Sequence, residues 1–97
     1  MPTYIYLCNY TQQGIADIKN SPQRADKARQ LAKASGGSLD QIYLTMGRYD
    51  MVVIGQAPDD TTVASNMLTI GSAGAIRSET LRAFTEEEYR SIIANLP

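Results

Sequence analysis

A group of phenol, hydroxyl, amide and guanidinium side chains is the part of this sequence best suited to hold a ligand. Arg82 is its one cationic member. An arginine fixed among hydroxyl groups can bind a small carboxylate or phosphate through paired hydrogen bonds. The alternative is that Arg82 forms an ion pair between subunits, with Glu79 or Asp50 as its partner. The residues that we expect to contact a ligand are Tyr6, Tyr43, Gln56, Thr80 and Arg82.

The composition excludes several catalytic mechanisms. The 97 residues include no histidine, no tryptophan and one cysteine, Cys8. Without histidine, one chain type cannot provide a Ser-His-Asp or Cys-His mechanism, a histidine-ligated metal or a histidine-ligated haem. A single cysteine also excludes an intrachain disulfide. We therefore expect no metal and no cofactor, and the sequence identifies no catalytic residue.

Two positions each allow a chemical and a structural interpretation. Cys8 could be a nucleophile, but it has no histidine partner, and a free cysteine is more often a small buried apolar residue. Pro2 becomes N-terminal if the initiator methionine is removed, and an exposed N-terminal proline can act as a base, but only its position supports that role.

Asp59, Asp60 and residues 86–88 lie at predicted helix starts, where carboxylates interact favourably with the helix dipole. Capping therefore explains these acidic residues better than a cation site.

Charge and hydropathy limit the classes of partner. The formal net charge of -1 argues against a nucleic-acid-binding protein. No apolar run approaches the roughly 18 residues that indicate a membrane span, and the N-terminus lacks the pattern of a signal peptide. We therefore expect neither a nucleic acid nor a membrane as partner, and a cytoplasmic location. We expect a single domain over residues 1–97, because the sequence contains no linker or internal repeat.

Alternation of apolar and polar residues indicates four strands. The first, TYIYLCNY, is apolar on both faces, which indicates that both faces are covered. Gly47 lies in a tight turn that joins the second and third strands into an antiparallel hairpin. The predicted strands are residues 3–10, 38–45, 50–57 and 75–84.

Helix signals lie between and after these strands. Ser21-Pro22 suits an N-cap followed by the first helical position, and Gly36-Gly37 ends that helix. Asp59 or Asp60 caps the next helix, and Thr85 begins a capping box before the last one. A short helical turn follows the first strand. The side chains expected to face inward are Ile15 and Ile18; Ala25, Ala28, Leu31, Ala32 and Ser35; Val63, Ala64, Met67 and Leu68; and Tyr89, Ile92, Ile93 and Leu96.

The order β-α-β-β-α-β-α predicts an α+β fold, the ferredoxin-like βαββαβ arrangement with an extra C-terminal helix. Right-handed crossovers place both main helices on one sheet face and give the strand order 4-1-3-2. The other face is too aromatic and aliphatic to remain in water. We therefore expect a two-fold dimer with the sheets packed face to face. The residues expected on the uncovered face are Tyr4, Tyr6, Cys8, Tyr10, Tyr43, Thr45, Val52, Ile54, Gln56, Ser78, Thr80 and Arg82.

The segment MGRYDMVVIGQAPDD resembles the GYD domain family, whose name comes from a Gly-x-Tyr-Asp-type motif matched here by Gly47-Arg48-Tyr49-Asp50. Ser21-Pro22, Gly36-Gly37 and the strand of residues 79–84 are also similar to the family. The resemblance covers nearly the whole chain and implies a ferredoxin-like dimeric α/β barrel, but little about activity. It also implies Glu at position 56, where this chain has Gln, which weakens any role for a carboxylate on the third strand.

The motif residues Tyr49 and Asp50 have two interpretations. They form either a polar pair at the mouth of a pocket or a turn that fixes the hairpin register. In the second case Asp50 accepts hydrogen bonds from nearby backbone N–H groups. Turn signals of this kind are often purely architectural, so we favour the second.

Whether the protein is an enzyme stays open at this point. The first hypothesis is a small homo-oligomeric binding or assembly protein, a dimer or a larger ring, that holds a small anionic or partly apolar ligand between sheet faces. The second is a cofactor-independent isomerase or monooxygenase of the dimeric α/β-barrel type, in which tyrosine hydroxyls and Arg82 stabilise an oxyanion. The lack of plausible bases counts against the second. A third is a regulatory ligand-sensing module, which would need a separate DNA-binding partner.

Overall fold

The computed structural model describes residues 1–97, which form four strands and four α-helices. The element order is the one that the sequence pattern indicates. This is a mixed α+β architecture, compatible with a ferredoxin-like arrangement. The elements are β1 (Thr3–Tyr10), α1 (Gln12–Ala16), a 3-10 turn (Ile18–Asn20), α2 (Ser21–Ala34), β2 (Ser38–Leu44), β3 (Met51–Gln56), α3 (Asp60–Ser72), β4 (Ile76–Ala83) and α4 (Glu86–Ala94).

The four strands form one sheet in the order β2-β3-β1-β4, and each neighbouring pair is antiparallel. This is the order that right-handed crossovers require, counted from the opposite edge. α2 packs mainly on β2 and α3 on β4, so the two long helices cover one face of the sheet. None of the helices combines the length and the apolar character that crossing a membrane requires.

The helix starts follow local signals, with one difference. Asp59 caps α3 by accepting a hydrogen bond from the Thr62 backbone N–H at 2.8 Å, and Thr85 and Glu88 form the expected capping box of α4. Ser21 is the first residue of α2 rather than its N-cap. Its hydroxyl lies 2.7 Å from the Tyr10 hydroxyl instead, so it connects α2 to β1.

On β1 and β4, the residues that we expected on the uncovered face lie on the helix-covered face instead. Tyr4, Tyr6 and Cys8 form the core together with Met51 and Val53, and Tyr4 is only 2% exposed. The expectation that the β1 tyrosines lie on the uncovered face is therefore wrong.

Strand register and the tyrosine hydroxyls explain this orientation. Residues directly opposite in an antiparallel pair lie on the same face. Tyr6 lies opposite Val53 and Thr80, so all three face the helices. A buried tyrosine hydroxyl needs a partner, and helix α3 provides one: the Tyr4 hydroxyl donates to Asp60 Oδ1 at 2.5 Å. The alternation of β1 could not distinguish its two apolar faces.

We call the uncovered side of the sheet the open face. Ile5 lies there opposite Ile54 and Leu81, and Leu7 lies opposite Val52. Our expectations for β2 and β3 were correct on this point, since Tyr43 pairs with Val52 on the same side. By register, the open face consists of Thr3, Ile5, Leu7, Asn9, Ser38, Gln41, Tyr43, Val52, Ile54, Gln56, Arg77, Glu79, Leu81 and Ala83.

Several side chains expected to face inward are exposed. Leu68 of α3 is 76% exposed, because this helix turns Val63, Asn66 and Met67 toward the sheet instead. The helix α4 has almost no contact with the rest of the chain. The apolar side chains left exposed are Ile15, Ile18, Leu68, Tyr89, Ile92, Ile93 and Leu96, and Ala64 is exposed with them.

Candidate functional site

The strand register separates the five predicted ligand-binding residues into two groups. Tyr6, Thr80 and Arg82 lie on the helix-covered face, whereas Tyr43 and Gln56 belong to the open face. The five therefore do not line one concave space. The prediction that Tyr6, Thr80 and Arg82 share a face is correct, and so is the prediction that Tyr43 and Gln56 share a face. The prediction that all five lie on the same face is wrong. Whether any of these residues binds a ligand remains a prediction.

Arg82 lies against aromatic rings. Its guanidinium carbon is 4.4 Å from the centroid of the Phe84 ring and 5.8 Å from that of Tyr4. It forms no ion pair within the chain. A cation over an aromatic ring is stabilised by the electrons of the ring face. Arg82 thus has an aromatic support within the chain, and no carboxylate of the chain lies within ion-pair distance of it.

The Gly-x-Tyr-Asp segment folds as a turn that is tied to β1. Gly47 has φ of 106°, a conformation that favours glycine. The Asp50 carboxylate accepts a hydrogen bond from the Tyr10 backbone N–H at 2.9 Å, and the Asp50 backbone N–H donates to the Asn9 side chain at 3.1 Å. The Tyr49 hydroxyl lies 3.3 Å from Glu79 Oε1 at the surface. These contacts support the architectural interpretation of the motif.

The two most strongly shifted side chains of the core favour their protonated forms. The hydrogen bond to Asp60, together with burial, raises the pKa of Tyr4 to about 12. Burial raises the pKa of the Cys8 thiol to about 11. A thiol that stays protonated near neutral pH is a poor nucleophile. The structural interpretation of Cys8 as a small buried apolar residue is thus supported.

The open face is the most distinctive surface of the protein. Its centre is aliphatic, formed by Ile5, Ile54 and Leu81 on three adjacent strands, and Leu81 is 39% exposed. Tyr43 extends the patch at one edge, where it is 50% exposed. No helix of the chain covers this face, so its apolar side chains are available for contact with another molecule.

The helix α4 adds a second apolar surface. Tyr89, Ile92 and Ile93 of α4 and Leu96 just beyond its end recur with helical spacing, and each is between 46% and 60% exposed. The sequence analysis identified this stripe but assigned it to the core of its own chain. It also missed Ile5, Leu7 and Leu81 as surface residues, although the apolar character of both β1 faces was a signal that a second surface existed.

No group of three His, Cys, Asp or Glu side chains converges in a way that could hold a metal ion. Two of the acidic residues near helix starts, Asp59 and Glu88, act as caps. Asp59 accepts hydrogen bonds from both the backbone N–H and the hydroxyl of Thr62, and these bonds lower the pKa of Asp59. The carboxylate is thus engaged with its own helix.

The fold and these surfaces define a class: a small mixed α+β protein whose sheet leaves one apolar face without helix cover. The chain belongs to the GYD domain family, which it matches over residues 4–93. The family expected from the Gly-x-Tyr-Asp segment is thereby confirmed.

Two proteins of Thermus thermophilus are similar to this chain. The glutamine synthetase and cystathionine beta-lyase binding protein is 34% identical over 84 residues, which are 86% of this chain and 88% of the relative. The crystal structure of TTHA0845 matches with a TM-score of 0.56 and 21% sequence identity, over 88% of this chain and 95% of that one. The second comparison supports the fold.

Proposed function

We propose that this protein is a homodimeric binding protein that docks onto larger enzymes. The observation that carries the dimer is the uncovered apolar surface, formed by the open face and the stripe on α4, whereas the docking role is supported by the similarity to a binding protein. The relative that is 34% identical binds glutamine synthetase and cystathionine beta-lyase according to its name. It is similar over most of both chains, so we take these two enzymes as the class of partner to test.

The total exposed surface supports association with a second copy. The chain exposes 6692 Å², whereas a compact monomer of 10.6 kDa exposes about 5,500 Å². The excess of about 1,200 Å² exceeds the roughly 800 Å² that each partner contributes to a standard interface. The radius of gyration of 14.6 Å is likewise larger than the about 12.5 Å of a compact chain of this length.

A two-fold dimer with the open faces in contact would bury the aliphatic centre of each sheet. The four-stranded sheets would pack as two layers about 10 Å apart, the usual spacing of stacked sheets. Such a dimer is the dimeric α/β barrel expected of the family, and a larger ring is the alternative assembly. α4 belongs to the same interface, because isolated helices shorter than about 12–15 residues are only marginally stable in water, and α4 has 9.

A ligand held between the two sheets would contact Tyr43 and Gln56, because these are the predicted ligand-binding residues on the open face. Tyr6, Thr80 and Arg82 lie on the other side. The isomerase or monooxygenase alternative has less support, since the Tyr4 hydroxyl already donates to Asp60 and the buried Cys8 thiol favours its protonated form. We retain a cytoplasmic location as a prediction.

The docking part of the proposal is tested by biolayer interferometry with the immobilised protein and purified glutamine synthetase or cystathionine beta-lyase. We expect saturable binding of at least one enzyme. Ile54→Asp, which places a charge in the centre of the open face, should lower the affinity through loss of the dimer. Ala64→Asp, at an exposed position of α3, is the matched control and should bind like the wild type. Absence of saturable binding by a wild-type protein of dimeric mass would contradict the docking role.

A further inference from the structure

The turn that joins β2 to β3 presents apolar side chains that no part of the chain covers. We call residues 44–48 the hairpin tip. Leu44, the last residue of β2, is 77% exposed, and Met46 in the turn itself is 99% exposed. Neither side chain takes part in the hydrogen bonds of the turn, and turns are dominated by Gly, Pro, Asn, Asp and Ser. The fold of the hairpin therefore does not explain these two apolar residues.

The hairpin tip is fixed to the sheet by hydrogen bonds. The Thr45 backbone N–H donates to the Asp50 carbonyl at 2.8 Å, and the Thr45 hydroxyl donates to the Tyr49 carbonyl at 2.7 Å. Asp50 is tied to β1 in turn, through its carboxylate and its backbone N–H. A surface that is ordered beforehand loses little conformational entropy on binding. The Gly-x-Tyr-Asp segment thus fixes the position of Met46 relative to the sheet.

Arg48 gives the hairpin tip a positive charge. It is exposed, and no carboxylate of the chain lies within ion-pair distance of it. A methionine side chain adapts to irregular apolar pockets, and an arginine forms paired hydrogen bonds with a carboxylate. The combination fits a partner surface that has an apolar pocket with an acidic rim.

The hairpin tip lies apart from the surfaces that we assign to the dimer. Cys8 pairs with Met51 and Thr3 pairs with Ala83. The turn therefore lies at the end of the sheet where β1 ends, whereas α4 follows β4 at the end where β1 begins. None of the residues 44–48 belongs to the open face. The tip can thus be altered without altering the aliphatic centre of that face.

Two recesses in the surface of this chain do not fit the hairpin tip. The apolar groove between the helix layer and the sheet is bordered by no carboxylate, so it offers no partner for Arg48. The polar recess beside α2 contains Asp17, but its only apolar lining residues are Ala73 and Ala75. These recesses therefore favour a different protein, rather than a second copy of this chain, as the partner of the tip.

We propose that the hairpin tip is the part of this protein that contacts its enzyme partner. Leu44 and Met46 enter an apolar pocket of the enzyme, and Arg48 pairs with a carboxylate at the rim of that pocket. The inference rests on the proposed function, because it assigns the docking role to particular residues. A dimer carries two such tips, and two linked contacts bind more tightly than one, which is why loss of the dimer should lower the affinity.

Biolayer interferometry with the enzyme that binds the wild type tests the apolar contact. Met46→Ser removes the apolar side chain and introduces a residue that turns favour. We expect its affinity to be at least about tenfold lower, because no methionine side chain then enters the pocket. Met46→Leu should retain most of the affinity. Leu68→Ser is the matched control, since Leu68 of α3 is 76% exposed and lies outside the tip, and it should bind like the wild type.

Arg48→Gln tests the charged contact. Salt screens an ion pair at the rim of an interface, so the affinity of the wild type should fall as sodium chloride is added. Arg48→Gln should bind several-fold more weakly at low ionic strength, and its affinity should change less with salt. Arg48→Lys keeps the charge and should keep the salt dependence.

Sedimentation equilibrium separates the enzyme contact from the dimer. Met46→Ser should keep the mass of the wild type, because the tip contributes no residue to the open face. The inference is overturned if Met46→Ser binds the enzyme as tightly as the wild type or loses the wild-type mass. It is also overturned if Leu68→Ser weakens binding equally, or if Arg48→Gln binds like the wild type at low ionic strength. A wild type that binds neither enzyme contradicts the proposed function itself, so the two failures can be distinguished.

Discussion

Ile5 of β1 and Ile54 of β3 lie opposite each other on the face of the sheet that no helix covers. Because β1 and β3 are the two inner strands, this pair lies at the centre of the sheet rather than at an edge. The partner of Ile5 on the other side is Leu81, which continues the aliphatic row onto β4. An apolar row across the middle of an uncovered sheet favours association with another sheet.

Loss of the hydrogen bond between Tyr4 and Asp60 should destabilise the fold. The Tyr4 side chain is almost fully buried and joins β1 to the first turn of α3. Tyr4→Phe should lower the free energy of unfolding by about 1–2 kcal/mol, because the acceptor is a carboxylate. Tyr49→Phe, which removes an exposed 3.3 Å contact with Glu79, is the control and should cost less than about 0.5 kcal/mol. Urea denaturation of both variants measures the difference, and equal effects would contradict the structural importance of the Tyr4 bond.

The burial of Cys8 predicts a loss of stability in alkaline solution. The pKa of Cys8 rises from 9.0 to about 11 in the folded protein, so the unfolded chain loses this proton first. The thiol's contribution to stability is fully present below pH 9 and is lost as the pH rises to about 11, by on the order of 2 kcal/mol. Tyr4 adds a similar loss between pH 10 and about 12.

Urea midpoints measured from pH 7 to pH 11 check this expectation. Cys8→Ala removes the titrating group, so its stability should begin to fall about one pH unit later than that of the wild type. A wild-type curve that stays level to pH 11 would contradict a buried thiol.

Gly47 should resist substitution for conformational reasons alone. Its φ is 106°, and a side chain added there would meet no atom within 4 Å. Gly47→Ala should therefore destabilise the hairpin by about 1 kcal/mol through backbone strain. Gly71→Ala is the matched control, because it also has open space and lies in α3 without a positive φ; it should be neutral or stabilising. In thermal unfolding, the midpoint temperature of Gly47→Ala should fall, whereas that of Gly71→Ala should stay unchanged or rise.

The sequence predicted the elements well because their signals are local. The proline after Ser21, the Asp59 cap and the Thr85 capping box each depend on residues within one helical turn, and all three helices begin near them. The hairpin turn at Gly47 is another local signal. Family membership followed from the Gly-x-Tyr-Asp segment, which these contacts show to be a turn tied to β1.

The candidate site was predicted poorly because its geometry depends on distant partners. Alternation shows that Tyr6 and Ile5 lie on opposite faces but does not show which face meets the helices. The face that meets the helices is the one whose tyrosine hydroxyls find acceptors there, such as Asp60, which is 56 residues away from Tyr4. The position of α4 away from its own sheet depends on distances between elements, which no local pattern contains.

The C-terminal helix should contribute to assembly rather than to the fold of its own chain. α4 has almost no contact with the other elements, so a chain shortened to residues 1–84 should keep its sheet, measured by far-UV circular dichroism. Loss of the apolar stripe on α4 should weaken the dimer at least about tenfold. Glu87→Ala, on the exposed side of the same helix, is the control for the full-length chain. An unfolded shortened chain, or one that dimerises as tightly as the full-length protein, would contradict this role.

Sedimentation equilibrium of the wild type and of Ile54→Asp tests the central claim most directly. Ile54 is at the centre of the open face, and a buried, unpaired carboxylate there should oppose face-to-face packing. We expect the wild type to sediment with twice the mass of the 10.6 kDa chain at micromolar concentration, and Ile54→Asp to sediment as a folded monomer. The Ala64→Asp control should remain dimeric. A wild-type protein that is a stable monomer, or an Ile54→Asp variant that dimerises like the wild type, would contradict an assembly that buries the open face.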